Sequence, residues 1–334
     1  MKLSDFDYDL PDGLIAQYPT KRRDGSRLLE IDTTEEIHRK FTDFPDLLNC
    51  KDVLVLNDTK VLKARLFAEK DTGGAAEILI ERLVDNEEAE CQVRVSKALK
   101  PGRLLQLGGF QIEVLRRVGQ FYRLRFSAPV HIVLDRYGTV PLPPYIERSS
   151  DIEDLSRYQT IFGNNPGAIA APTAGLHFTE ETFKKLESKG VSVVFLTLHV
   201  GSGTFQPVRT DVLDDHTMHS ELFTIPGPVA EKINNCEGRV VAVGTTVVRA
   251  LESSVEGGVV KGHSGETSIF IQPGYNFQVV DALLTNFHLP KSTLLMLVSA
   301  FGGYEEVMRA YQVAIKKKYR FFSYGDACFV HRKL

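Results

Sequence analysis

Tryptophan is absent from the 334 residues, and cysteine is scarce, with Cys50, Cys91, Cys236 and Cys328 the only four. No two of these cysteines lie within a few residues of each other, which excludes CxxC redox centres and zinc ribbons. Isolated thiols of this kind fit a reducing compartment. No apolar run approaches a membrane span in length. The opening MKLSDFDYDLP carries carboxylates where a signal peptide needs an apolar core, so a cytoplasmic protein is expected. A strong charge of one sign is also missing, since the net charge is -3. Any phosphate recognition must therefore come from a local cluster of Lys and Arg. The common nucleotide and nucleophile signatures fail as well. No G-x-G-x-x-G follows an early strand, and Pro290-Lys-Ser-Thr293 lacks the glycines that precede a phosphate loop. Ser202 is not in G-x-S-x-G, because Val200 stands where the first glycine belongs.

What is present, 43% hydrophobic and 25% charged residues, is ordinary for a globular chain. The length suits two domains, or one domain with an insertion. Val53-Leu54-Val55-Leu56 is a continuous apolar run that ends at Asn57-Asp58, which predicts a strand buried on both faces with polar residues at its tip. Short strand-like runs then recur at Glu77–Leu83, Cys91–Val95, Leu104–Leu107, Phe110–Leu115 and Tyr122–Phe126, separated by turns such as Pro101-Gly102 and Gly108-Gly109. Close spacing with little helix between them predicts a small antiparallel barrel. Its strands carry Arg94, Lys97, Lys100, Arg103, Arg116, Arg117, Arg123 and Arg125, either an RNA-contact face or a solvated barrel surface. Pro141-Leu-Pro-Pro144 reads as an exit linker. Beyond it, the β-branched run Val191–Leu198, helical patterns at Val229–Asn235 and Glu305–Lys318, and the apolar run Arg239–Val243 alternate. Gly244-Thr245-Thr246 is expected to open a helix reaching Ser254. The expected architecture is an α/β domain with a mixed sheet, formed by residues 1–65 and 149–334, and a β-barrel of residues 66–148 inserted after its first strand.

Four segments are rich in Gly, Thr, His and small polar residues: Ala170–Thr179, Leu198–Pro207, His216–Glu221 and Thr285–Thr293. In the second, a buried strand runs into Gly201-Ser-Gly203-Thr204, where glycines allow the backbone close to a ligand and hydroxyls supply donors. A plain tight turn is the rival reading. Six of the nine histidines fall between positions 177 and 288, and histidine suits proton transfer near neutrality. His216 and His219 are three apart, but no further ligands at sensible spacing complete a zinc site, and no metal is expected.

Taken in order, these segments resemble one family, the S-adenosylmethionine:tRNA ribosyltransferase-isomerases of the queuosine pathway. The resemblance runs from Phe6-Asp-Tyr-Asp-Leu-Pro11 and Ile15-Ala-Gln-Tyr-Pro19 through Val55-Leu-Asn-Asp-Thr59, Pro141–Ile146 and Arg157-Tyr-Gln-Thr160. It continues through Pro172–Phe178, His199–Arg209, His219-Ser-Glu221, Val243-Gly-Thr-Thr246 and Thr285–Phe301 to Tyr319–Asp326, and so covers effectively the whole chain. Members usually carry a tryptophan near the strand that here begins at Cys91, and this chain has none. The resemblance implies an α/β domain with a β-barrel and no metal or redox cofactor. It also implies a reaction that moves the ribosyl part of S-adenosylmethionine onto 7-aminomethyl-7-deazaguanine. The acceptor base lies at the wobble position of tRNA with a GUN anticodon (Asp, Asn, His and Tyr acceptors), and the product is epoxyqueuosine. A monomer without a membrane partner is expected.

That chemistry needs a base, a donor for departing adenine and a dry pocket. His177, His199, His219 and Glu221 are the expected acid/base group, with Asp326 a second candidate, either as base or as partner of the tRNA aminomethyl group. Gly201, Ser202, Gly203 and Thr204 are the expected donor-binding loop. Thr173, Thr245, Thr246 and Asn286, with His288 and Lys291 in the fourth segment, are expected to bind substrate. Lys60, Lys63, Arg65, Lys316, Lys317, Lys318 and Arg320 are expected to grip phosphates. Phe321, Phe322 or Tyr324 is expected to stack on an unpaired base, unless these rings are core and the lysines a solvated helix end. Two other readings make different demands. A hydrolase acting on S-adenosylmethionine alone would release adenine without tRNA, and a non-catalytic RNA-binding module would consume no donor.

Overall fold

A computed structural model describes residues 1–32, 36–201, 203, 210, 213, 216 and 218–333. Its strands begin with β1 (Arg27–Ile31), β2 (Glu36–Lys40), β3 (Val53–Asn57) and β4 (Thr59–Val61). The barrel strands follow as β5 (Arg65–Lys70), β6 (Ala75–Leu83), β7 (Glu88–Val95), β8 (Leu104–Leu107), β9 (Phe110–Val118) and β10 (Phe121–Phe126). Helices α1 (Val130–Tyr137) and α2 (Asp154–Arg157) lead to β11 (Asn165–Ala168), α3 (Glu180–Ser188), β12 (Ser192–Leu198), β13 (Glu221–Thr224), α4 (Gly227–Asn234), β14 (Val240–Val243) and α5 (Thr245–Glu252). The hairpin β15 (Val255–Glu256) and β16 (Val259–Val260) precedes β17 (Ser264–Thr267), β18 (Ala282–Asn286), α6 (Thr293–Gly302), α7 (Tyr304–Lys316) and β19 (Ala327–His331).

Among the described residues the main sheet has nine strands in the order β17-β13-β12-β3-β14-β18-β19-β1-β2. Its centre, β12-β3-β14-β18, is parallel throughout, and β13, β19 and β2 run antiparallel to their inner neighbours. Successive side chains of a strand face opposite sides. Accordingly Val53 and Val55 join one hydrophobic cluster, with Ala242, Leu283 and Val330, while Leu54 and Leu56 join another, with Val241, Leu284 and Phe329. Both faces are covered, and a covered parallel strand reads as an unbroken apolar run. The mixed α/β architecture is as expected.

Two details differ from the sequence reading. The strands β1 and β2 belong to the sheet, so the barrel enters after β3 as the sheet's third strand in chain order. Glu30, buried in β1, interrupts that run's apolar character, and it is tolerated because Arg39 (2.6 Å) and His331 (2.9 Å) pair with it. Pro141–Pro144 is likewise no free linker. Leu142 packs with Val140, Ile146, Tyr158 and Tyr324 in a core cluster of its own.

The barrel closes as β10-β7-β6-β5-β8-β9. Alternate residues (Leu66, Ile78, Ile80, Cys91, Ile112, Leu124) fill it, and Val130, Val133 and Leu134 of α1 pack on this core. Its outer arginines are mostly opposed by acids. Arg123 and Arg125 bracket Glu88 (2.9 and 2.8 Å), Arg103 meets Asp71 (2.5 Å) and Arg94 meets Glu77 (3.8 Å). This pairing favours the solvated-surface reading of the barrel. Among the described residues no helix is long and apolar enough to cross a membrane.

Candidate active site

Parallel order places the ends of β3, β12, β14 and β18 on one edge of the sheet, where α/β proteins bind ligands. The antiparallel and flanking strands deliver their first residues to the same edge, Glu221 from β13 and Asp326 just before β19. Asn57, at the tip of β3, ties that edge together. Its Nδ2 donates to the Leu198 carbonyl (2.9 Å), and its Oδ1 accepts from Leu198 N (3.0 Å) and Thr59 N (3.1 Å).

A cavity opens at this edge. Thr173, Thr245, Thr246, Thr285, Asn286 and His288 supply its polar walls, and Tyr145 and Phe322 supply aromatic ones. Gly244 caps α5 with φ 91°, a value reached at low cost only by glycine, and this lets the chain turn from β14 straight into the helix whose first residues face the cavity. Ser292 caps α6 with its hydroxyl on Leu295 N (3.2 Å) and also lines the wall. Of the expected substrate binders, Thr173, Thr245, Thr246, Asn286 and His288 are thus brought together. Lys291 is not. It pairs with Asp7 at 2.6 Å, outside the cavity lining. Gly201 and Gly203 are described, whereas Ser202 and Thr204 lie outside the described residues.

The expected acid/base residues stand around this cavity rather than in its lining. His177 lies behind Asn286, with its Nε2 3.3 Å from Asn286 Nδ2 and its Nδ1 2.9 Å from Ser26 Oγ. Burial pushes its pKa down to about 4, against a smaller opposing pull from Asp326. His288 is buried with Nε2 3.0 Å from Thr285 Oγ1, and burial pushes it down to about 3. Both rings are neutral at pH 7. His199 is half-buried and follows β12 directly. Its Nδ1 lies 2.8 Å from Thr59 Oγ1, whose hydroxyl also reaches the Asn165 carbonyl at 3.5 Å. A hydroxyl donating to that carbonyl accepts from Nδ1–H, which leaves the lone pair on Nε2. Burial lowers the His199 pKa and the nearby Asp58 opposes the shift. Gly167 makes room for this ring, since a Cβ there would meet it at 2.7 Å.

Glu221 is buried against Arg249, a residue that sequence reasoning missed, with both side chains 5% exposed. The Glu221 carboxylate also accepts from Gly201 N (3.0 Å), so it holds the backbone two residues beyond His199. Only this burial reveals Arg249, because in sequence it reads as one polar position of an amphipathic helix. His219 is exposed and packs against Gly203, where a Cβ would meet its ring at 2.5 Å. Asp326 is corrected from candidate base to brace. Buried, it accepts from Arg27 N (2.9 Å), Arg320 N (2.8 Å) and the Arg27 guanidinium (3.1 Å).

The expected RNA contacts divide. Lys316, Lys317 and Lys318 are exposed at the end of α7, and the carbonyls of Lys317 and Lys318 accept from Arg27. Lys60 is exposed on β4, just past the tip of β3, and Lys63 is half-buried. Arg65 is engaged by Glu77 (3.4 Å) and the Leu142 carbonyl (3.2 Å), and Arg320 by the Tyr18 carbonyl. Tyr324 is corrected. It is 4% exposed and donates to Asp154 Oδ1 (2.7 Å), so no base can stack on it in this fold. Phe321 is core, and Phe322 is a wall of the cavity.

The geometry is that of a hydroxyl-lined cavity with the neutral histidines His177 and His288 at its wall. The model of the queuosine biosynthesis protein family matches residues 3–330. The S-adenosylmethionine:tRNA ribosyltransferase-isomerase of Dechloromonas aromatica is 51% identical over 99% of this chain and 97% of its own length. Its namesake from Thiobacillus denitrificans is 52% identical over 99% and 98%. The crystal structure of S-adenosylmethionine tRNA ribosyltransferase from Thermotoga maritima superposes with a TM-score of 0.56 at 35% identity, over 97% of this chain and 99% of that one. The chain therefore belongs to the queuosine biosynthesis protein family, that of the S-adenosylmethionine:tRNA ribosyltransferase-isomerases.

Proposed function

We propose that this chain transfers and isomerises the ribosyl part of S-adenosylmethionine onto 7-aminomethyl-7-deazaguanine at the wobble position of tRNA with a GUN anticodon. The product is epoxyqueuosine-tRNA, adenine and methionine leave, and S-adenosylmethionine is consumed as a substrate. The observation that carries this reading is the cavity at the carboxyl edge of β12-β3-β14-β18, lined by hydroxyls and aromatic rings. It suits an uncharged nucleoside portion of a donor kept from water.

The sulfonium acidifies the adjacent C5′ hydrogens of the donor. A base takes one of these protons, and the ylide so formed expels adenine from the ribose. The neutral aminomethyl group of the tRNA then attacks, and closure of the epoxide releases methionine. His199 is the assigned base, because it is uncharged at pH 7 and presents Nε2 opposite its Thr59 bond. The Glu221–Arg249 pair acts on the same chemistry by fixing Gly201 beside His199. Lys60 and Lys316–Lys318, all at the carboxyl edge, are the assigned phosphate contacts, and the protein acts as a cytoplasmic monomer.

Incubation with S-adenosylmethionine and tRNA bearing the aminomethyl base, followed by nucleoside mass analysis, tests the reading. Epoxyqueuosine forms only when both substrates are present. Adenine released at the same rate without tRNA contradicts the transfer and indicates a hydrolase.

A further inference from the structure

One wall of the cavity carries a polar atom with no partner. Asn286, at the end of β18, is 2% exposed, and among the described residues no donor reaches its buried Oδ1. Its Nδ2, by contrast, has two acceptors, the Phe322 carbonyl at 3.3 Å and His177 Nε2 at 3.3 Å. The Phe322 carbonyl can only accept. Turning the amide over would set two oxygens against each other, so the assignment of nitrogen and oxygen is dictated by chemistry. His177 agrees with it, because Nε2 accepts when Nδ1–H donates to Ser26 Oγ at 2.9 Å. The amide plane is thereby pinned on its nitrogen side, and the oxygen is left buried without a donor in a residue that lines the cavity.

A buried carbonyl without a donor is costly, and native proteins rarely leave one unless something else fills the place. The occupant must bring a hydrogen-bond donor. The wall chemistry narrows the choice. Among the described residues none that lines the cavity is charged, so an ammonium finds no carboxylate there. Sugar hydroxyls are matched by Thr173, Thr245 and Thr246, which both donate and accept. A fixed acceptor that shares the cavity lining with Tyr145 and Phe322 instead suits the edge of a flat heterocycle bearing an exocyclic amine.

We propose that Asn286 Oδ1 accepts from the 6-amino group of the donor's purine and makes the enzyme selective for a 6-amino over a 6-oxo purine, with His177 as the positioning residue that holds the amide. The inference rests on S-adenosylmethionine being the donor. A 6-oxo purine sets oxygen against oxygen at this point, and sites built around a buried hydrogen bond reject the mismatched partner.

The test is equilibrium binding by titration calorimetry, without tRNA, of S-adenosylmethionine and of S-inosylmethionine, its 6-oxo counterpart. Wild-type protein is expected to bind the 6-oxo ligand at least about tenfold more weakly. Asn286→Ala is expected to bring the two within about threefold, since the fixed amide acceptor is then gone. His177→Leu narrows the ratio as well, while His177→Gln, whose side-chain carbonyl can accept from the amide, restores it. Equal binding of both ligands by wild type, no binding of either, or full discrimination by Asn286→Ala overturns the proposal. The wild-type comparison stands even where a variant does not fold. Wild-type protein that discriminates between the ligands yet leaves aminomethyl-tRNA unmodified refutes the transferase reading and leaves this inference standing.

Discussion

His199 illustrates how a single residue's surroundings decide its role. Its chain neighbour Val200 lines the cavity, its own Nδ1 is engaged by Thr59, and burial lowers its pKa. His199→Ala is expected to lower kcat by about 10²–10⁴ with the fold retained, read as adenine release under saturating donor and tRNA. Because its pKa lies below the ordinary 6.5, activity should fall on the acid side with an apparent pKa under that value. Gly167→Ala, which drives a Cβ into the same ring, should reproduce part of the loss while His199 is still present. Wild-type adenine release by His199→Ala would remove it as the base. Glu221 and Arg249 make a different demand. Removing one partner leaves the other buried and uncompensated, so Glu221→Ala should cost about 3 kcal/mol of stability, whereas an exposed pair would cost under about 1. Urea unfolding of the variant against wild type measures this.

At the scale of elements, the turn from β14 into α5 is the most constrained joint. Gly244 holds φ 91° and ψ 151°, a region that side-chain-bearing residues avoid, and its N–H donates to the Leu284 carbonyl (2.8 Å). Gly244→Ala is expected to cost roughly 1–3 kcal/mol and to raise the KM for S-adenosylmethionine, because Thr245 and Thr246 start the displaced helix. An unchanged KM in the folded variant would separate this helix end from the donor site. The same joint shows how much was legible in sequence. Val240–Val243 reads as a buried strand because all four residues are apolar, and Gly-Thr-Thr after it marks a helix start. Runs with one clear period were read well, including β3, β12 and most of the barrel. The strand β1 was not, because Glu30 breaks the run and its partners Arg39 and His331 lie elsewhere in the chain. Helix α1 was missed for a related reason. Its apolar face packs on the barrel core, a surface that exists only after closure. For the site, the residue types pointed to segments, 170–174 and 285–292 among them, that the fold brings to one cavity. Which histidine touches the cavity and which braces it depends on contacts across more than a hundred positions, such as His177 with Asn286.

The whole molecule carries two consequences. His177 and His288 are buried and neutral, with pKa values near 4 and 3, while the unfolded chain takes up these protons near pH 6.5. The unfolded state therefore binds more protons below pH 6.5, and stability falls as pH drops from there toward 4. Each histidine contributes roughly 1.4 kcal/mol per pH unit in that window. Urea midpoints at pH 7, 6 and 5 should decline steadily, and a midpoint that rises on acidification would contradict the neutral assignment. The second consequence concerns charge. With a net charge of -3, tRNA binding must rely on local cations such as Lys316–Lys318. Reversing these three charges should weaken tRNA binding and flatten its salt dependence, and an unchanged slope would remove the patch from the interface.

In the proposed function the donor binds at the carboxyl edge of the parallel strands. Hydrogen–deuterium exchange with and without S-adenosylmethionine reads this directly. Added protection is expected in the peptides covering residues 170–177, 198–201, 244–248 and 285–295, which carry the cavity walls and His199. Protection confined to the barrel, with these four segments unchanged by saturating donor, would contradict the account.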